Sequence, residues 1–156
     1  MENYEVRNGG LLVSTDHALL DFDLIQGFLK DCYWSTGITM EQVRRQIQHS
    51  SLTFGLYRLS GEGENRSPQQ IGLTRVVSDL ARLAVLNDVF IVPHEQRGGL
   101  GSFLLRSVLA HPDLRGIRKW LLATRDAHGV YAKLGFTALP NPEAYMVYRP
   151  ADARWV

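Results

Sequence analysis

Apolar residues recur along this chain at two periods, one helical and one alternating, and their succession predicts a mixed sheet covered by helices. Leu11, Leu12 and Val13 make a short apolar run closed by Ser14, Thr15 and Asp16, which reads as a first strand. From Asp21 to about Cys32 the spacing becomes helical. Phe22, Ile25 and Leu29 share a face with Leu24 and Phe28 beside them, and Asp21 or Asp23 offers an anion at the N-terminus. Thr39 then caps a second helix, Met40 to His49, in which Val43 and Ile47 oppose Arg44, Arg45 and Gln48, as in a helix lying over a sheet. Between the helices, Tyr33-Trp34-Ser35-Thr36-Gly37 places two large aromatics on a turn.

Leu52 to Arg58 and Ile71 to Val77 are strand-like and flank Ser60-Gly61-Glu62-Gly63-Glu64-Asn65-Arg66-Ser67-Pro68, so they read as an antiparallel hairpin with a long tip. A third run, Leu83 to Val92, is interrupted by Asn87-Asp88, either a turn or two polar groups pointing into a site. A helix from Gly99 to Ala110 ends at His111-Pro112. A strand from Lys119 to Thr124, a helix from Ala127 to Leu134 and a last strand around Tyr145 to Tyr148 complete an order β α α β β β α β α β.

The densest chemistry lies in Val92-Pro93-His94-Glu95-Gln96-Arg97-Gly98-Gly99-Leu100-Gly101-Ser102, where a strand end meets a glycine-rich basic turn and an amphipathic helix. Glycines let several backbone N–H groups approach one ligand, the helix start adds unpaired amides and the positive end of its dipole, and Arg97 adds a charge: an anion cradle suited to phosphate. A Walker loop requires Gly-Lys-Ser/Thr, and Gly101 is followed by Ser102 and Phe103. A dinucleotide fingerprint requires another glycine three positions after the second, and Ser102 and Leu104 occupy that neighbourhood. The pattern that fits is Gln/Arg-x-x-Gly-x-Gly/Ala, through Gln96, Gly99 and Gly101. Downstream stands Tyr131-Ala132-Lys133-Leu134-Gly135-Phe136. Together the two motifs resemble the pyrophosphate loop and the Tyr…Gly-Phe segment of the GNAT superfamily of N-acetyltransferases, over roughly residues 10 to 150.

That resemblance implies an α/β (α+β) GNAT fold with a mixed sheet of about six or seven strands and about four helices. It implies acetyl-CoA as co-substrate, with the pantetheine arm on the main chain of Val89, Phe90 and Ile91 and the pyrophosphate on Arg97, Gly98, Gly99, Leu100, Gly101 and Ser102. Thr124 stands seven residues before Tyr131, where relatives often carry an Asn that meets the cofactor arm. Arg125-Asp126 is expected to anchor the turn, with Asp126 as a helix N-cap. Tyr131 is the candidate acid for the departing thiolate and Asp88 the candidate base, with His128, Glu95 or water as substitutes. Tyr33 and Trp34 fall where the acceptor binds. The implied reaction is acetyl transfer to a primary amine of a small molecule or peptide. The alternatives are a different acyl-CoA, or a catalytically silent acyl-CoA-binding or regulatory module.

Composition narrows the setting. The 156 residues, 17.6 kDa, suit one domain over 1–156. A net charge of +1 argues against nucleic acid as partner. No apolar run approaches the roughly 20 residues of a membrane span, and Met1-Glu2-Asn3-Tyr4-Glu5 does not resemble a signal peptide, so a cytoplasmic enzyme is expected. Cys32 is the single cysteine, which excludes an internal disulfide, and the five histidines lack ligand spacing, so no metal is expected. Assembly as a homodimer is compatible with this pattern.

Overall fold

The computed structural model describes residues 2–152, so Met1 and residues 153–156 of the expected 1–156 domain lie outside the described part. Six strands form one sheet whose spatial order follows the chain: β1 (Glu5–Asn8), β2 (Leu11–Ser14), β3 (Leu52–Ser60), β4 (Ser67–Ser78), β5 (Leu83–Ile91) and β6 (Lys119–Leu121). Neighbours from β1 to β5 are antiparallel, and β6 runs parallel to β5. Four helices accompany them: α1 (Phe22–Leu29), α2 (Met40–Gln48), α3 (Leu100–Leu109) and α4 (His128–Ala132). This mixed six-stranded sheet with four helices matches the architecture that the resemblance implied.

The helices form where capping chemistry starts them. Asp21 Oδ1 accepts the Leu24 N–H at 3.0 Å to open α1. Thr39 opens α2 through a capping box, its hydroxyl accepting the Gln42 N–H at 3.2 Å while the Gln42 side chain accepts the Thr39 N–H at 3.0 Å. The register shows how both faces of the sheet are covered. Leu73 pairs with Phe90 and Thr74 with Phe54, and adjacent residues on β4 point to opposite faces, so Phe90 and Phe54 project oppositely. Phe90 stacks on Phe28 of α1 at 4.1 Å between ring centroids. Phe54 meets Tyr4 and His111 edge-on, and Tyr4 Oη donates to the Ser107 carbonyl of α3.

Two irregularities position the site. Leu73 pairs with Phe90 but Arg75 with Asn87, so Asp88 and Val89 together face Thr74, a β-bulge with Asp88 at φ 53°. The interruption at Asn87-Asp88 is therefore a bulge within one strand. The second irregularity is the brevity of β6, which pairs with β5 through Leu83–Lys119, Ala84–Trp120 and Val85–Leu121 and then leaves it. Beyond Val85, β5 has no ladder partner on that side among the described residues, and the sheet opens into a wedge.

The structure corrects several expected boundaries. β1 precedes the strand taken as first, and its single apolar residue, Val6, gave little signal. The strand expected over Lys119 to Thr124 stops at Leu121. Tyr145 to Tyr148 is not a strand: it follows a 3-10 turn at Pro142–Ala144, leaves Met146 99% exposed, and is tied down by side chains, Lys119 Nζ donating to Tyr145 Oη at 3.4 Å. Asp126 does not cap α4; the Thr124 hydroxyl accepts the Ala127 N–H at 3.1 Å instead.

Replacing Thr39 by Ala removes one half of the capping box. Urea denaturation should show a loss of about 1 kcal/mol, with the remainder of the fold intact by circular dichroism.

Candidate active site

The wedge between β5 and the chain leaving β6 holds a cavity of about 890 Å³ bordered by Trp34, Asp88, Val89, Thr124, Arg125 and Tyr131. Sequence-predicted residues from three distant segments thus meet at one opening. Val89 lies in the bulge, on the stretch of β5 that has no partner on the β6 side. Phe90 is buried against α1, so its main chain is what it offers the wedge. The Ile91 carbonyl is already used, accepting from Gln96 Nε2 at 3.0 Å. Gln96 therefore ties the glycine turn to the strand end.

After Pro93–Glu95, a single 3-10 turn, Gly98 and Gly99 adopt φ of 94° and 76°, left-handed values open to glycine at little cost. α3 then begins at Leu100 with Gly99 as N-cap. Among the described residues no acceptor meets the N–H groups of Arg97, Gly98, Gly99, Leu100, Gly101 or Ser102. A Cβ built on Gly101 meets nothing within 4 Å, so the space before the helix is open. Arg97 is exposed beside it. Six donors, the helix dipole and a guanidinium gather at the start of α3, and anions are what such an arrangement binds. Glu95, at the rim, is clasped by Arg58 at 3.0 and 2.6 Å, and this hydrogen-bonded pairing holds its carboxyl below the ordinary range.

Asp88 sits opposite, saturated with donors. Its Oδ1 accepts from Trp34 Nε1 at 2.9 Å. Its Oδ2 accepts from Gln46 Nε2 of α2 at 3.0 Å and from Arg75 Nε of β4 at 2.7 Å. The Arg75 and Asp88 side chains are 10% and 6% exposed, so the ion pair is shielded from water. Arg75 Nη1 also donates to Ser50 Oγ at 2.8 Å. Burial, then the Asp88 and Asp31 charges, push the Cys32 thiol up to about 11, and its Sγ donates to the Phe28 carbonyl. Cys32 is thereby kept un-ionised near neutral pH.

Tyr131 stands where α4 faces the wedge, packed edge-on against Phe136 at 5.8 Å. It is 9% exposed, yet its hydroxyl meets no partner among the described residues and keeps contact with open space. Burial, with a smaller contribution from Tyr33, raises its pKa above that of an ordinary phenol. Tyr33 and Trp34 pack edge-on at 5.0 Å. The Tyr33 hydroxyl accepts the Arg125 N–H at 3.0 Å, and the Arg125 guanidinium lies over its ring at 4.0 Å. Arg125 does anchor the turn, through Tyr33. Thr124 borders the cavity, but its hydroxyl is engaged with Ala127.

A parallel strand pair that parts, followed by an amide-rich helix start, has the chemistry to receive an extended, anion-bearing ligand. Comparison with known proteins agrees. Residues 63–138 match the Acetyltransferase (GNAT) domain family. A candidate acetyltransferase from Gibberella zeae, FG08082, is 34% identical over 139 residues, covering 80% of this chain and 77% of that protein. A crystal structure of a candidate GNAT-family acetyltransferase from Xanthomonas campestris pv. campestris is 40% identical with a TM-score of 0.78, over 90% of this chain and 93% of the other. Rv2747 from Mycobacterium tuberculosis, crystallised in complex with CoA and NLQ, shares the fold at 17% identity and a TM-score of 0.58, over 80% of this chain and 70% of that one. The chain belongs to the GNAT acetyltransferase family and is an acyltransferase.

Gln46, Arg75 and Arg149, which also border this region, were not anticipated from the sequence. Arg75 carried a usable signal: an arginine inside the apolar run Leu73-Thr74-Arg75-Val76-Val77 needs a carboxylate once that run is a buried strand. Among the described residues no helix is long and apolar enough to cross a membrane, and no cluster of three metal-ligating side chains is found.

The Arg75–Asp88 pair leads to a stability prediction. Asp88→Asn keeps the shape but leaves Arg75 buried without its counter-charge, which should cost roughly 3–5 kcal/mol. Denaturant unfolding of the variant measures it directly.

Proposed function

We propose that this single-domain enzyme transfers the acetyl group of acetyl-CoA directly to a primary amine of a small molecule or peptide. The observation that carries the reading is that β5, unpaired with β6 past Val85, leads through one 3-10 turn at Pro93–Glu95 into the six unpaired amides of residues 97–102. An extended acyl donor lying along β5 ends, at its phosphate-bearing side, on those amides. The presence of CoA in the crystal structure of Rv2747, which has a similar fold, supports the choice of donor. Acetyl-CoA supplies an activated thioester and a thiolate leaving group; the protein supplies position and protons.

Main-chain groups at the bulge take the place of a neighbouring strand and align the pantetheine arm as an added strand would be aligned. Gly98, Gly99 and Gly101, with Arg97 and the Ser102 hydroxyl, hold the pyrophosphate. The acceptor enters past Tyr33 and Trp34 and meets the thioester near Tyr131. Tyr131 donates its phenolic proton to the departing sulfur. Its raised pKa keeps that proton in place through neutral pH, and its free hydroxyl leaves the donor available. Asp88 was the base expected from sequence, but its oxygens are held by three donors. We assign it instead to positioning Trp34 and the bulge, with the amine proton leaving through water in the cavity.

Gly101→Val tests the cradle. The added side chain meets no protein atom at its Cβ, so stability should change little, while acetyl-CoA affinity measured by calorimetry should fall at least about tenfold, a loss of about 1.4 kcal/mol. Unchanged affinity would remove the pyrophosphate from this loop.

Tyr131→Phe tests the acid. Turnover should fall roughly 100-fold or more, with acetyl-CoA affinity retained. Since the pKa is raised, the parent should hold its activity to alkaline pH, losing it only as pH rises past the ordinary phenol value of about 10. The variant should lack that alkaline limb. Equal turnover numbers in a chemistry-limited assay would leave Tyr131 a packing residue.

A further inference from the structure

We infer that the acceptor amine carries an oxyanion, a carboxylate or a phosphate, held by Arg125 and Arg149 at the mouth of the wedge. The inference rests on the wedge being the acceptor chamber proposed above. Three arginines border the cavity, Arg75, Arg125 and Arg149, against two carboxylates, Asp88 and Asp126. The charges do not cancel evenly in space. Arg75 and Asp88 neutralise each other at 2.7 Å inside the wall, so neither presents a free charge to a ligand. Arg125 and Arg149 are exposed, and neither side chain has a hydrogen-bonding or ion-pair partner among the described residues. Asp126 is the remaining carboxylate, so the mouth keeps an excess of one positive charge.

Arg125 is also oriented. Its guanidinium lies 4.0 Å over the Tyr33 ring, and its own backbone N–H is fixed by the Tyr33 hydroxyl. Tyr33 in turn packs against Trp34, whose indole is pinned by Asp88. A guanidinium stacked on an aromatic face has its N–H edge left over, the geometry that meets an oxyanion with two hydrogen bonds. The same mouth repels a simple alkylammonium ion. An acceptor with an acidic group gains the charge-assisted bonds and brings its amine toward the thioester with less net positive charge.

A binding measurement tests this without relying on turnover. CoA-saturated protein is titrated calorimetrically with N-acetylated amino acids against their N-methylamides, and with N-acetylphosphoethanolamine against N-acetylethanolamine. At least one anionic ligand should bind about tenfold or more tightly than its neutral counterpart, and the arm in which this occurs identifies carboxylate or phosphate. The preference should collapse in Arg125→Gln/Arg149→Gln, while CoA affinity and melting temperature stay near the parent values. Equal binding of every anionic and neutral pair, or a preference that survives the double substitution, overturns the inference. An anion preference in a protein that transfers no acetyl group to any amine would instead defeat the proposed reaction and leave the oxyanion site standing.

Discussion

The bulge at Asp88 and Val89 is the constraint on which the rest of the site depends. A residue other than glycine in the left-handed region costs on the order of 1–3 kcal/mol and persists only where its surroundings hold it. Here the holding is visible: the Arg75 ion pair, the Gln46 amide and the Trp34 indole converge on one carboxylate, and the Thr74 hydroxyl donates to the Asn87 carbonyl beside it. The twist this introduces falls where β6 leaves β5, so a sheet continuous through Val85 becomes an open wedge within a few residues. A buried ion pair is weak evidence for net stability, because desolvation opposes the attraction. Its contribution at Asp88 is to select one backbone conformation.

The same carboxylate explains which parts of the molecule were legible in the sequence. Helices α1 and α2 and the β3–β4 hairpin follow from local period and capping residues, all within a few positions of one another. The open amides of residues 97–102 were legible for a related reason: they are consecutive along the chain, so a glycine-rich run before a helix points to them locally. Asp88 was visible as a candidate base but not as a hub, because its partners lie 13, 42 and 54 residues away. A sequence displays a carboxylate; its partners are donors that the fold brings in. The last strand failed differently. Apolar residues from Tyr145 to Tyr148 are compatible with a strand, but period says which side a residue faces and nothing about whether a partner edge is present. β6, three residues long, offers little edge to pair with.

The wedge also divides the labour of the site between backbone and side chains. In the proposed reaction the donor side binds through main-chain amides and a helix dipole, which nearly any side chains permit and which therefore suit a cofactor shape without specifying a substrate. On the acceptor side the wall is a relay of side chains, Arg125 on Tyr33, Tyr33 against Trp34, Trp34 on Asp88. Each of these depends on identity, so under the proposed function this wall is where acceptor selection would be set.

Tyr131 belongs to neither wall, and that decides what it can do. Its helix is only five residues long, so its position comes from neighbours: Thr124 holding the Ala127 N–H, the Phe136 N–H bonded to its own carbonyl, and the Phe136 ring against its edge. Those contacts fix the ring and leave the hydroxyl unpaired at the cavity. Because the hydroxyl keeps contact with the cavity, it can stay free to donate there without the cost of a buried unpaired group. In the proposed reaction that donor faces the place where the cofactor arm and the acceptor meet, and an anion developing there is the acceptor it lacks.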